Sequence, residues 1–228
     1  MTVYAEGESE GTSTGESLRV AVYIDGFNLY HGIMGKGWGR FRWLDHRQLA
    51  ERFMRPPETL LSVKYFTAMV THDRPAFKRQ THYLEALKAH GGISVHLGTF
   101  EQRKVKCAEC EKWYKRNQEK RTDVNIATHL VADAHDRLYD AIYLMSADAD
   151  LVPAIEHIKD RFGIRVTLID PPRRHSDDLK SVCDRNFHID SSMFNQAQLP
   201  DPVERVTPSG RIKRYYKPSD WAPDAHGA

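Results

Sequence analysis

The chain has 228 residues, 28% of them charged and 40% hydrophobic, with a mean hydropathy of −0.60 and a net charge of +2. That size suits one substantial α/β domain with extra segments, and the apolar content is enough to bury a core. No apolar run approaches the roughly 20 residues of a membrane helix. The N-terminus lacks a basic-then-apolar leader, and three cysteines are too few for a disulfide framework, so a cytoplasmic protein without a membrane partner is expected.

Residues 1–17 are rich in Gly, Ser, Thr and Glu and are expected to be a disordered tail. They hold Glu6, Glu8, Glu10 and Glu16 and no basic residue, so the rest of the chain carries +6. Arg19 to Asp25 is an apolar run ending on an acid, which reads as a strand. Gly26 allows a sharp turn there, and Asn28 follows close enough to share a ligand with Asp25. The glycine-rich stretch 34–42 interleaves basic and aromatic residues without any phosphate-cradling spacing. It reads either as a contact for single-stranded nucleic acid or as a surface loop with Trp38 packed down.

Asp45 suits the N-cap of a helix reaching about Met54. Leu60 to Val70 reads as a strand, Arg74 to His90 as a helix ended by Gly91-Gly92, and Ile93 to Leu97 as a third strand. Residues 99–118 are expected to be a basic insertion with a hairpin arm. Arg103 to Arg121 alone carries +5, a candidate phosphate-facing surface through Lys112, Lys115, Arg116, Lys120 and Arg121, or else a solvated charged loop. Inside it, Cys107 and Cys110 supply half of a tetrahedral zinc site. Zn2+ there needs further ligands, for which Cys183 and His96 are the candidates. The alternative is a pair of reduced thiols.

Thr122 suits an N-cap, which puts Asp123 in the first turn of the next helix, where the dipole favours a carboxylate. Asp140 to Met145 then reads as a buried strand running into Ser146, Asp148 and Asp150. Two carboxylates that close repel unless a cation or a proton lies between them. A helix to Arg161 follows, then a strand from Arg165 to Asp170, a short helix from Asp177 and a last short strand near Phe187. From residue 196 to 228 no core pattern is visible, and a tail is expected. Alternating strands and helices imply a parallel sheet with every carboxyl strand end on one edge. Asp25, Asp123, Asp148 and Asp150 can meet there. Hard oxygen donors of this kind suit Mg2+ or Mn2+, which activate water and stabilise a phosphodiester under attack.

The segments Tyr23–Asn28, Glu119–Ala127 and Ser146–Pro153 resemble the three motif blocks of the NYN domain, a branch of the PIN-like ribonuclease superfamily (LabA-like). The resemblance implies a PIN-like three-layer α/β/α fold over residues 18–195, with a central, mostly parallel sheet of five to six strands. It also implies a metal-dependent ribonuclease with Asp25, Asp123, Asp148 and Asp150 as metal carboxylates. Asn28 and Ser146 match the accompanying polar positions. RNA is the implied partner, with a homodimer as an allowed assembly. One departure is His129, where many members carry Asp. Some similar chains are NADH-dependent monooxygenases of a hydroxypyridine. That alternative finds no dinucleotide fingerprint here, and an iron site would need His129 beside Asp25 and Asp123. A non-catalytic RNA-binding module is the third reading.

Overall fold

The computed structural model describes residues 17–106 and 109–221, the side chains of 115–118 excepted. β1 (Leu18–Asp25) lies at its centre. Side chains alternate between the two faces of a strand. Val20, Val22 and Ile24 therefore enter one apolar core, and Ala21 and Tyr23 enter the other.

The chain continues through α1 (Gly26–Gly35), α2 (His46–Glu51), β2 (Glu58–Ala68), α3 (Arg74–His90) and β3 (Ser94–Lys106). β4 (Trp113–Lys120) returns antiparallel to β3. Then come α4 (Thr122–His135), β5 (Ala141–Met145), α5 (Val152–Phe162), β6 (Arg165–Asp170), α6 (Asp177–Val182), β7 (Arg185–His188) and α7 (Ser191–Gln196). The sheet order is β4-β3-β2-β1-β5-β6-β7, parallel apart from β4. The mixed α/β architecture with a mostly parallel sheet is the expected one. It has seven strands rather than five or six, because the hairpin arm extends β3 without a break and β4 joins the sheet.

The order runs outward from β1 in both directions, toward β2 on one side and β5 on the other. The crevice between the carboxyl ends of β1 and β5 is therefore the topological switch point, where open α/β sheets place ligands. Among the described residues, no helix is long and apolar enough to cross a membrane.

Residues expected to form the C-terminal tail are folded as far as Trp221. β8 (Val203–Val206) and β9 (Ile212–Tyr215) form a hairpin. Val203, Tyr215 and Trp221 are buried in the α3-side core, with Trp221 against Tyr83 and Trp43 at centroid distances of 5.6 and 6.3 Å. They are spaced too far apart and too irregularly for any periodicity to announce them. In the glycine-rich stretch, Trp38 packs down on Phe41 and Phe194. The expected disordered segment falls almost wholly outside the described residues, which begin at Ser17.

A candidate metal centre at the sheet switch point

Asp25 ends β1 and caps α1. Its Oδ1 accepts from the backbone amides of Phe27 and Asn28 at 3.1 and 3.0 Å. Its Oδ2 accepts from the Asn28 side-chain amide and, at 2.9 Å, from the Ser146 hydroxyl. Gly26 is needed here: a Cβ would lie 2.7 Å from the Phe66 carbonyl oxygen and from the Tyr65 hydroxyl. The Ser146 hydroxyl in turn accepts from the Asp148 amide at 3.2 Å. A continuous polar chain thus joins the ends of β1 and β5.

Asp148 caps the 3-10 turn Ala149–Leu151, accepting from the Asp150 amide at 3.1 Å. Asp123 stands in the first turn of α4. The helix cap differs from expectation: Thr122 is already helical, and Arg121, in the left-handed region at φ 76°, is the cap. Arg121 takes the turn that carries the chain from β4 into α4. One carboxylate oxygen from each of Asp123, Asp148 and Asp150 lies within 4.8 Å of the others. Asp25 is not part of this tight group. It stands two hydrogen bonds behind, through the Ser146 hydroxyl to the Asp148 amide.

The electrostatics match the crowding. Asp148 is held above the usual carboxylate range by burial and by the charges of Asp123, Asp150 and Asp25. Glu119, on β4, is pushed up to about 7 by burial and by Asp25, Asp123 and Asp148. Its buried Oε1 has no hydrogen-bond partner among the described residues. Sequence reasoning gave Glu119 no role, because it reads as one more charge in a basic window. Arg174 was also missed. It donates to Asn28 Oδ1 at 3.0 Å from the loop after β6, and no sequence pattern marks it.

The structure places the remaining expected site residues elsewhere. Lys120 and Arg121 sit where β4 meets α4, close in the chain to Asp123. Lys112 is exposed just before β4. Lys115 and Arg116 lie on β4, in backbone register with Lys104 and Arg103. Cys107 lies outside the described residues, and Cys110 is exposed. Of the other zinc candidates, His96 stacks on Phe66 at 4.8 Å and meets the His129 ring at a tilt at 4.2 Å. Cys183 packs against the α4–α6 core, where burial pushes its thiol up to about 11. His129 also packs on Phe66, and it is absent from the metal-capable group among the described residues.

Asp123, Asp148 and Asp150 form no ion pair among the described residues. Hard oxygen donors short of positive charge fit a divalent cation of the Mg2+ or Mn2+ type.

Residues 19–191 match the NYN domain, and the chain belongs to that family, a PIN-like nuclease family. The curated relative 6-hydroxy-3-succinoylpyridine 3-monooxygenase HspA, from Pseudomonas putida (strain DSM 28022 / S16), is 28% identical over 90% of this chain and 76% of its own. The crystal structure of VPA0982, a protein of unknown function from Vibrio parahaemolyticus RIMD 2210633, aligns with a TM-score of 0.51 at 24% identity. It covers 80% of this chain and 97% of its own. That last likeness concerns the fold.

Proposed function

We propose that this protein is a metal-dependent ribonuclease that hydrolyses RNA phosphodiester bonds at the switch point. The observation that carries the reading is the convergence of Asp123, Asp148 and Asp150 without a cation partner among the described residues, in a chain of a nuclease family. In this reading those carboxylates hold Mg2+ or Mn2+. The ion supplies Lewis acidity, offsetting the charge that develops on the phosphate and lowering the pKa of a nearby water. Asp25 and Ser146 fix the backbone that presents Asp148, and Asn28 is held between Asp25 and Arg174. Lys112, Lys115, Arg116, Lys120 and Arg121 supply charge along the β3–β4 arm for the RNA backbone. Water oxygen adds to phosphorus, the bond from phosphorus to the leaving ribose oxygen breaks, and the proton the water loses is balanced by one gained at that oxygen.

The test is cleavage of a labelled single-stranded RNA by the purified protein. Activity should need Mg2+ or Mn2+, stop with chelator and return on re-addition. Turnover that persists unchanged in chelator, or in Asp148→Asn, would sink the site assignment.

A second reading, an NADH-dependent monooxygenase acting on a hydroxypyridine, draws its support from the Pseudomonas relative. The packing of His129 on Phe66 and His96 lends it no iron site at Asp25 and Asp123. NADH oxidation that depends on added 6-hydroxy-3-succinoylpyridine would favour it over hydrolysis.

A further inference from the structure

Next to the acids, on the α3 side of the sheet, lies a cavity of about 620 Å3 that no step of the hydrolysis uses. Its size falls within the range of small-molecule sites, roughly 300–1,000 Å3. It shares a wall with the acid group. Gly26 and Phe27, which line it, directly follow Asp25, and Phe100 stands opposite Glu119 in the β3–β4 register. Asp25 and Glu119 are also close enough to raise the pKa of the Tyr65 hydroxyl, although burial is the larger cause.

The lining is dominated by flat rings. Phe27 and Phe100 meet edge to face at 5.3 Å, His46 stacks on Tyr65 at 4.2 Å, and Tyr83 meets Trp221 at 5.6 Å. Such walls suit a planar ring, which gains contact on its face and its edge.

Two wall residues also hold buried ring nitrogens without a hydrogen-bond partner, His46 Nδ1 and Trp221 Nε1. The His46 side can be assigned. The Tyr83 hydroxyl has one hydrogen, and it donates that to the Leu44 carbonyl at 2.7 Å. The Tyr83 oxygen therefore accepts from His46 Nε2, 3.1 Å away. That leaves Nδ1 of a neutral imidazole as an acceptor. Burial keeps this ring neutral, with its pKa down at about 3. Trp221 Nε1 is a donor only. These nitrogens leave one unused acceptor and one unused donor sealed behind the ring walls, so the rings meet a ligand through their exposed faces and edges.

We propose that this cavity is a binding site for a planar aromatic or heteroaromatic ring. A base splayed from single-stranded RNA and a free hydroxypyridine-type ring both present that chemistry. The site does not rest on the metal reading, because the cavity walls hold none of Asp123, Asp148 or Asp150.

The experiment is isothermal titration of the full chain in chelator with uridine, 2-hydroxypyridine, a short oligouridylate and the same oligomer with an abasic residue. Saturable binding is expected. Ala76→Trp, which fills the cavity from α3, should weaken it about tenfold or more, the scale of one stacked ring. His46→Phe keeps the ring shape and removes both nitrogens, and should weaken it less. Asp148→Asn should bind as the wild type does, so a failure of ring binding and a failure of hydrolysis are read separately. An oligomer that binds more tightly than its abasic form assigns the ring to RNA. A free ring that binds while the two oligomers behave alike assigns it to a small molecule. Both results uphold the cavity. No saturable binding to any probe at millimolar concentration, or equal binding by wild type and Ala76→Trp, overturns it.

Discussion

β6 ends on Asp170 much as β1 ends on Asp25 and β5 runs into Asp148, yet these acids keep different company. Asp170 meets Lys180 at 3.4 Å, His188 at 3.2 Å and the Asn186 amide at 3.1 Å. Asp133, further along α4 from Asp123, is buried against the Lys64 ammonium and the Tyr23 hydroxyl. The acids at the switch point have chiefly one another. The difference separates two uses of a carboxylate. Where a lysine comes with it, the charge is already neutralised and the pair belongs to the structure. Where acids are gathered without a cation, they repel one another, and a cation or a proton relieves that repulsion.

The comparison breaks most sharply at the paired end. Asp133→Ala leaves the Lys64 ammonium buried and alone, which should destabilise the fold by about 3–5 kcal/mol. Urea unfolding would read it. Replacing both partners, Lys64→Met with Asp133→Leu, should recover most of the loss. A silent Asp133→Ala would mean that the pair carries no structural weight.

At the unpaired end, Asp148→Asn should lower RNA cleavage by about 100-fold or more, since even supporting groups around metal ligands cost 10–100-fold. In chelator, the same variant should melt at a higher temperature than the wild type, because it removes one of the repelling charges. A thermal scan beside the single-turnover assay checks both.

Mg2+ or Mn2+ at a hundred times its dissociation constant should stabilise the wild type by about 2.7 kcal/mol, several degrees of melting temperature in a chain of this size. Asp148→Asn should show little of that shift. An equal rise in both proteins would place the ion elsewhere.

The smallest effect is a pH slope. Glu119 has a folded pKa of about 7 against its usual 4.5. An acid raised in the folded state favours folding only while it is protonated. Its full stability is therefore present below about 4.5 and is lost as the pH rises to about 7. Melting temperature in chelator should fall across that window, and Glu119→Gln should flatten the curve. An unchanged slope in the variant would remove Glu119 from the acid group.

Much of the architecture was legible in the chain. Strands β1 and β6 and helix α3 lie where their apolar spacing and end signals put them. Each carries its own stop: an acid at the strand end, or Gly91 with φ 87° after α3. The C-terminal hairpin was not legible. Val203, Tyr215 and Trp221 are buried one at a time by α3 and its neighbours, and a contact supplied by a distant element leaves no local period. The seventh strand was missed for a related reason: β4 is a sheet strand only because β3 continues past the core and offers it an edge.

For the site, the acids were readable as strand ends and as a first-turn residue. Asp123, Asp148 and Asp150 are determined to that extent by local sequence alone. The tertiary structure decided which acids stay uncompensated, because Lys64 and Lys180 reach their partners only through the folded sheet. It also decided that Asp25 stands behind the group rather than within it, that Glu119 joins from β4, and that His129 turns toward His96. Charge, propensity and strand ends are properties of a few adjacent residues. Whether a carboxylate is neutralised depends on which atoms lie within a few ångströms of it, and here those come from other elements of the fold.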